Sequence, residues 1–206
     1  MLRRDFLSTL ALAAFAPATS LKPADKLVTA ARSQLGVTIG YDPRYVTIPY
    51  PNGDVSRSTG VCADVIVRAY RDALALDLQR LLHEDMMKDF ASYPRTWGMS
   101  HPDTNIDHRR VLNLETFWRR THAQLWFDSS PTAGDAFPAP LAPGDILTWR
   151  LDGRIPHIGI VTEASRGLFG TTTIRVVHNW GNGAEQSSLS TFSPHRAAGH
   201  FRWASA

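Results

Sequence analysis

An α+β fold is predicted for this chain, on three observations. Apolar residues recur at helical spacing through much of the first half. Three runs rich in β-branched residues, separated by turn signals, follow in the second half. Between them, residues 128–143 are rich in Ser, Pro, Ala and Gly and read as a linker within one domain. Helices first and an antiparallel sheet afterwards is a layered arrangement that buries both sets of apolar faces together. A length of 206 residues suffices for one such core, expected over residues 21–206.

The elements follow in chain order. Residues 1–20 read as an export signal, with Arg3 and Arg4 ahead of an apolar stretch from Phe6 to Ala16 and small residues after it. That stretch is shorter than the roughly 20 residues a membrane-spanning helix needs, so no stable span is expected. Arg3-Arg4-Asp5-Phe6-Leu7 resembles a twin-arginine signal, although Leu2 stands where Ser or Thr is usual. Both that route and general secretion stay open, with processing after Ala18 or Ser20 and a periplasmic or secreted bacterial product.

Leu27, Val28, Ala31 and Leu35 share one face of a helix over residues 21–35, which Gly36 ends. Residues 37–60 carry Tyr41-Asp42-Pro43 and Tyr50-Pro51-Asn52-Gly53-Asp54 and read as an ordered loop with short extended pieces. A long helix is expected over residues 61–82, its start capped by Thr59 or Gly60. A shorter helix covers residues 112–120. Strands are expected over 145–151, 157–163 and 172–179, with edge pieces at 189–192 and 200–203.

The formal net charge of +3 is mild, and the basic residues form no run, so nucleic acid is not an expected partner. Cys62 is the one cysteine, which excludes an internal disulfide. It is then either a small buried hydrophobe or a reactive thiol. Its place in the first turn of the expected helix favours the second, because unpaired N–H groups and the helix dipole there stabilise a thiolate. The same N–H groups can donate to an oxyanion forming on an attacked carbonyl.

A thiol nucleophile needs a base. His157, in Pro156-His157-Ile158-Gly159-Ile160-Val161, begins a strand and shares one side with Gly159, which leaves room for another group. On the next strand, His178 can face it and orient its ring, whereas a regular strand turns Asn179 to the other side and ranks it second.

Around this set, Asp64 favours the helix start or pairs with Arg68. Tyr50 and Tyr41 are candidate oxyanion donors or packing residues. The polar run 101–110 reads as a substrate loop in which Arg109 or Arg110 grips a carboxylate, as a metal cluster of His101, Asp103, Asp107 and His108, or as a loop that braces the fold. Of the six tryptophans, Trp180 is expected at the cleft. His195 and His200 read as structural.

Taken together, these motifs carry a resemblance. Cysteine at a helix start, then Pro143-Gly144-Asp145-Ile146-Leu147-Thr148-Trp149, then His-Ile-Gly-Ile-Val, then Val-His-Asn resembles the NlpC-type branch of papain-like cysteine peptidases. More specifically, residues 41–203 are similar to the bacterial family known as domain of unknown function 1287. The resemblance is carried by Gly53-Asp54-Val55, Gly60-Val61-Cys62-Ala63-Asp64-Val65, Asp77-Leu78-Gln79, His83-Glu84-Asp85-Met86, 105–111 and Gly199-His200-Phe201-Arg202. It implies a papain-like fold with the nucleophile at the start of a helix packed on an antiparallel sheet. It also implies Cys62 as nucleophile, His157 as base and His178 as orienting residue, with no cofactor or metal. NlpC relatives cleave amide bonds in peptidoglycan, so a peptide or amide of the cell wall is the substrate implied. An inactive envelope-binding module and an acyltransferase with the same triad are the alternatives. The Asp-Cys-Ser-Gly usual around the NlpC nucleophile is absent here, with Val61 before the cysteine and Ala63 after it.

Overall fold

The computed structural model describes residues 21–131, 136–167 and 171–203. The expected export signal lies outside them. The described residues begin with α1 (Pro23–Arg32), the two-residue strands β1 (Gly40–Tyr41) and β2 (Thr59–Gly60), and the helices α2 (Cys62–Leu74), α3 (Leu78–Lys88) and α4 (Val111–Arg120). They continue with β3 (Gln124–Phe127), β4 (Ile146–Leu151), β5 (Ile155–Arg166), β6 (Thr172–Asn179), β7 (Ala184–Ser188) and β8 (Arg196–Phe201). The last six strands form one antiparallel sheet in the order β3-β8-β4-β5-β6-β7. Among the described residues the architecture is therefore mixed α+β, with four helices and an antiparallel sheet.

The sheet is covered on both sides, and its inner strands read as continuous apolar runs for that reason. Every residue of β4 is buried. Ile146, Ile158, Ile160 and Val177 join a core with Val65 and Ile66 of α2 and Leu114 and Trp118 of α4. Leu147, Trp149, Val161 and Val176 enter a second core closed by Phe192.

Helix α2 lies deepest. Its residues from Cys62 to Tyr70 are all buried, so its polar side chains need partners to offset lost hydration. Arg68 is fully buried and donates to Asp54, to Thr38 Oγ1 and to the carbonyls of Ser56 and Thr59. One side chain thus ties the 37–60 loop to the helix that carries the cysteine.

Several expectations change. The helix over 61–82 is two helices, because Ala75 turns left-handed at φ 55° and its N–H bonds back to Arg71 O. Asp77 then caps α3 by accepting the Gln79 N–H. Neither Thr59 nor Gly60 caps α2; Val61 occupies that position, and its N–H donates to Asp64 Oδ2 at 2.6 Å. Residues 189–192 are a 3-10 turn rather than edge structure. The C-terminal strand is internal, between β3 and β4. Strands β3 and β7 carry no strand signal in the sequence, since Gln124–Phe127 and Ala184–Ser188 lack a clear apolar alternation. The linker over 128–143 consequently joins two strands.

Candidate active site

Cys62 begins α2 and is 5% exposed. Burial pushes its thiol up to about 12, and the Asp64 charge adds to this. The backbone N–H groups of Ile158, Ala63 and Cys62 act the other way by favouring the thiolate. The helix-start effect expected from sequence is present, but desolvation outweighs it. The resting group is a neutral thiol. Its sulfur sits beside the amide of Ile158, the residue that follows His157.

His157 is likewise buried, and burial lowers its imidazole to about 3, helped by the neighbouring His178 and His195. Its Nε2 lies 3.1 Å from His178 Nδ1, and the rings meet edge-on at 84°. His178 is lowered to about 4 by burial, and its Nε2 lies 3.1 Å from Ser187 Oγ. The register that makes this possible pairs Gly159 with His178 across β5 and β6. A Cβ on Gly159 would stand 2.5 Å from Val176 Cγ1 and 3.3 Å from His178 Cβ, so the position requires its small residue. Trp149, Trp180 and Phe192 surround the His157 ring.

The thiol and the imidazole open onto adjoining depressions. Cys62 lies in a groove of about 420 Å³ with Tyr41, Tyr45, Trp97 and Arg110. His157 lies in one of about 220 Å³ with Asn179 and Trp180. Tyr41 and Pro156 belong to both. His157 engages His178 through Nε2, so Nδ1 is the ring nitrogen left for another partner.

Asn179 braces the backbone. Its Nδ2 donates to Gly40 O and Gly60 O, at 3.2 and 2.9 Å, and its Oδ1 accepts the Gly181 N–H. It therefore joins the strand after His178 to the segment just before Cys62. Asp64 pairs with Arg109 instead of Arg68; Arg109 Nε and Nη2 donate to its two oxygens at 2.9 and 3.0 Å. Arg109 also donates to the carbonyls of Asp42 and Arg44, which fixes the loop beyond Tyr41.

Other candidates are sorted by position. Tyr50 does not reach the groove; its ring packs edge-on against His83 of α3. Tyr41 takes its place near the thiol, paired with Gly60 in the short β1–β2 ladder and pushed up to about 12 by burial, then by Cys62. Arg110 does line the Cys62 groove, held by Asp107 and stacked 4.3 Å over Trp97. His108 is buried away from it and lowered to about 4, first by burial and then by Arg109 and Arg71. Among the described residues, no group of three or more His, Cys, Asp or Glu side chains is placed to hold a metal. Asp103 and Asp107 instead accept backbone N–H groups within their own loop. Ser187 lies on β7, where the run Ala184–Ser188 carries no strand pattern that would single it out.

Residues 28–203 match the family described as Domain of unknown function (DUF1287). The chain belongs to this family. A relative described as "Uncharacterized protein YijF", from Escherichia coli (strain K12), is 45% identical over 173 residues, covering 84% of this chain and 78% of its own. The DUF1287 match contains Cys62, His157, His178 and Ser187, and so spans all of the geometry above.

Proposed function

We propose that this DUF1287 protein is an exported cysteine hydrolase of papain-like, NlpC-type organisation that cleaves an amide or peptide bond in peptidoglycan. The observations that carry the reading are the placement of Cys62 against the amide of Ile158 and, on the strand that bears that amide, a buried histidine pair. Cys62 begins a buried helix with its sulfur beside the Ile158 amide, and His157 is hydrogen-bonded to His178 on the neighbouring strand.

In the mechanism proposed, thiol and imidazole are both neutral at rest. As Cys62 Sγ attacks the carbonyl carbon, its proton passes to His157 Nδ1, which is general-base catalysis in the step itself. His157 then protonates the leaving amine. Water, activated by the same imidazole, releases the carboxylic acid from the thioester and restores the thiol. The first-turn N–H groups and the Tyr41 hydroxyl are the candidate oxyanion donors. His178 orients His157, Asn179 and Asp64 hold the backbone around the nucleophile, and Arg110 offers a cation to substrate.

The test is incubation of mature protein with purified peptidoglycan and mass spectrometry of the released fragments. New amine termini are expected with native protein and none with Cys62→Ala or His157→Ala. Full release by Cys62→Ala would sink the mechanism. Amino-terminal sequencing of exported material, expected to start after Ala18 or Ser20, tests the compartment.

The burial of Cys62 favours a second reading, an envelope-binding module that kept the fold without catalysis. It is supported if the protein sediments with peptidoglycan and releases nothing. Transfer of the acyl group to an added amine instead of water would mark an acyltransferase using the same residues.

A further inference from the structure

We propose that Ser187 is a positioning residue that fixes the proton tautomers of His178 and His157. The proposal rests on the thiol-hydrolase reading. It follows from counting protons along the chain His157–His178–Ser187, in which the two histidines are buried and the serine is half-buried.

His157 can accept the Cys62 proton only on a ring nitrogen with a free lone pair. Its Nε2 is 3.1 Å from His178 Nδ1, so the accepting nitrogen is Nδ1. In the neutral ring the proton then sits on Nε2, which donates to His178 Nδ1. That makes His178 Nδ1 an acceptor and places the His178 proton on Nε2. His178 Nε2 lies 3.1 Å from Ser187 Oγ, which accepts it.

The same heavy atoms also permit the reverse chain. If the Ser187 hydroxyl donates to a bare His178 Nε2, the His178 proton moves to Nδ1 and donates to His157 Nε2. His157 Nδ1 is then protonated and cannot take a proton from the thiol. What separates the two chains is the far end, on β7. There Glu185, paired with His178 in the strand register, places Oε1 3.9 Å from His178 Nε2. A carboxylate at that distance favours an N–H at Nε2 over a lone pair. Ser187 supplies the acceptor and Glu185 biases its direction. The other titratable ring near His157 is His195, which stands beside Trp180 and accepts the Asp152 N–H at 3.3 Å. It touches neither nitrogen of the His157–His178 bond and does not set this direction.

The experiment is long-range ¹H–¹⁵N correlation spectroscopy of the full chain at neutral pH. The His157 and His178 signals are assigned by single His→Asn variants. Native protein is expected to show both rings protonated at Nε2. Ser187→Ala is expected to put a measurable share of His178 in the Nδ1–H form and to slow peptidoglycan fragment release about tenfold, the order one hydrogen bond is worth. Ser187→Thr, which keeps the hydroxyl, is expected to restore both. A native His178 protonated at Nδ1, or tautomers unchanged in a folded Ser187→Ala, would overturn the proposal. If Ser187→Ala does not fold, the native tautomers decide. A Cys62→Ala protein that still releases fragments would defeat the hydrolase reading while leaving the tautomer result standing, so the two failures are distinguishable.

Discussion

His157 Nε2 and His178 Nδ1 stand 3.1 Å apart, bridging β5 and β6 between two buried rings. A positive charge on either is unfavourable, because burial removes the water that would solvate it and the other ring is too close to share the site as a second cation.

That has a consequence for stability. His157, His178 and His108 are all held below the ordinary histidine value of 6.5, at about 3, 4 and 4. The unfolded chain binds protons below about pH 6.5 that the folded chain refuses down to about pH 4. Their stabilising contribution is therefore complete above pH 6.5 and declines as pH falls through this window. The expected slope approaches about 1.4 kcal/mol per pH unit for each histidine. Thermal melts between pH 7 and 4 should show a steadily falling midpoint, less steep in His108→Gln. A flat midpoint would show that the rings are solvated.

Burial also governs the resting thiol. With Cys62 at 5% exposure and its thiol pushed up to about 12, the native protein should react with iodoacetamide at pH 7 at least tenfold more slowly than in urea. Equal rates by mass spectrometry would refute a buried neutral thiol.

Asn179 offers a test of the brace between the two halves of the site. Asn179→Ala leaves the Gly40 and Gly60 carbonyls without this donor and should cost about 2 kcal/mol in urea denaturation. Asn179→Asp should cost more, since its carboxylate would face the same two carbonyl oxygens. An aspartate variant as stable as native would disprove the assignment of Nδ2 as donor.

Arg109 and Asp64 form an ion pair with side chains only 2% and 4% exposed. Arg109→Met alone should destabilise by about 3–5 kcal/mol, because it strands a buried carboxylate. The double variant Arg109→Met with Asp64→Asn should recover part of that loss. Strict additivity in a double-mutant cycle would mean that the two charges do not interact.

The local signals in the sequence were those that rest on spacing. The helical period of 23–32 and 111–120, the β-branched runs of β4, β5 and β6, and the placement of Cys62 at a helix start all follow from which residues neighbour one another along the chain. The facing of His157 and His178 was legible for the same reason, since strand alternation puts a histidine two residues from Gly159 on the side where a β6 residue arrives. The break at Ala75 was not legible. Nothing in Leu74-Ala75-Leu76 opposes a helix; beyond the left-handed Ala75, Gln79 of α3 accepts the Gly53 N–H and donates to Pro49 O, partners that lie 26 and 30 residues away.

For the site, the sequence by itself determined the nucleophile candidate, the two histidines and the α+β order of the elements. Each is a matter of residue type at a local position. Only the tertiary structure decided that Tyr41 and not Tyr50 lies by the thiol, that Asp64 belongs to Arg109, that Asn179 holds Gly60 and that Ser187 completes the histidine chain. Asp64 and Arg109 are 45 residues apart and Asn179 and Gly60 are 119 apart, while Tyr41 and Ser187 lie on strands without an apolar pattern. Burial, too, is collective. The helix start that would lower the Cys62 thiol is overruled by the packing of helices and sheet around it, which no single position along the chain reveals.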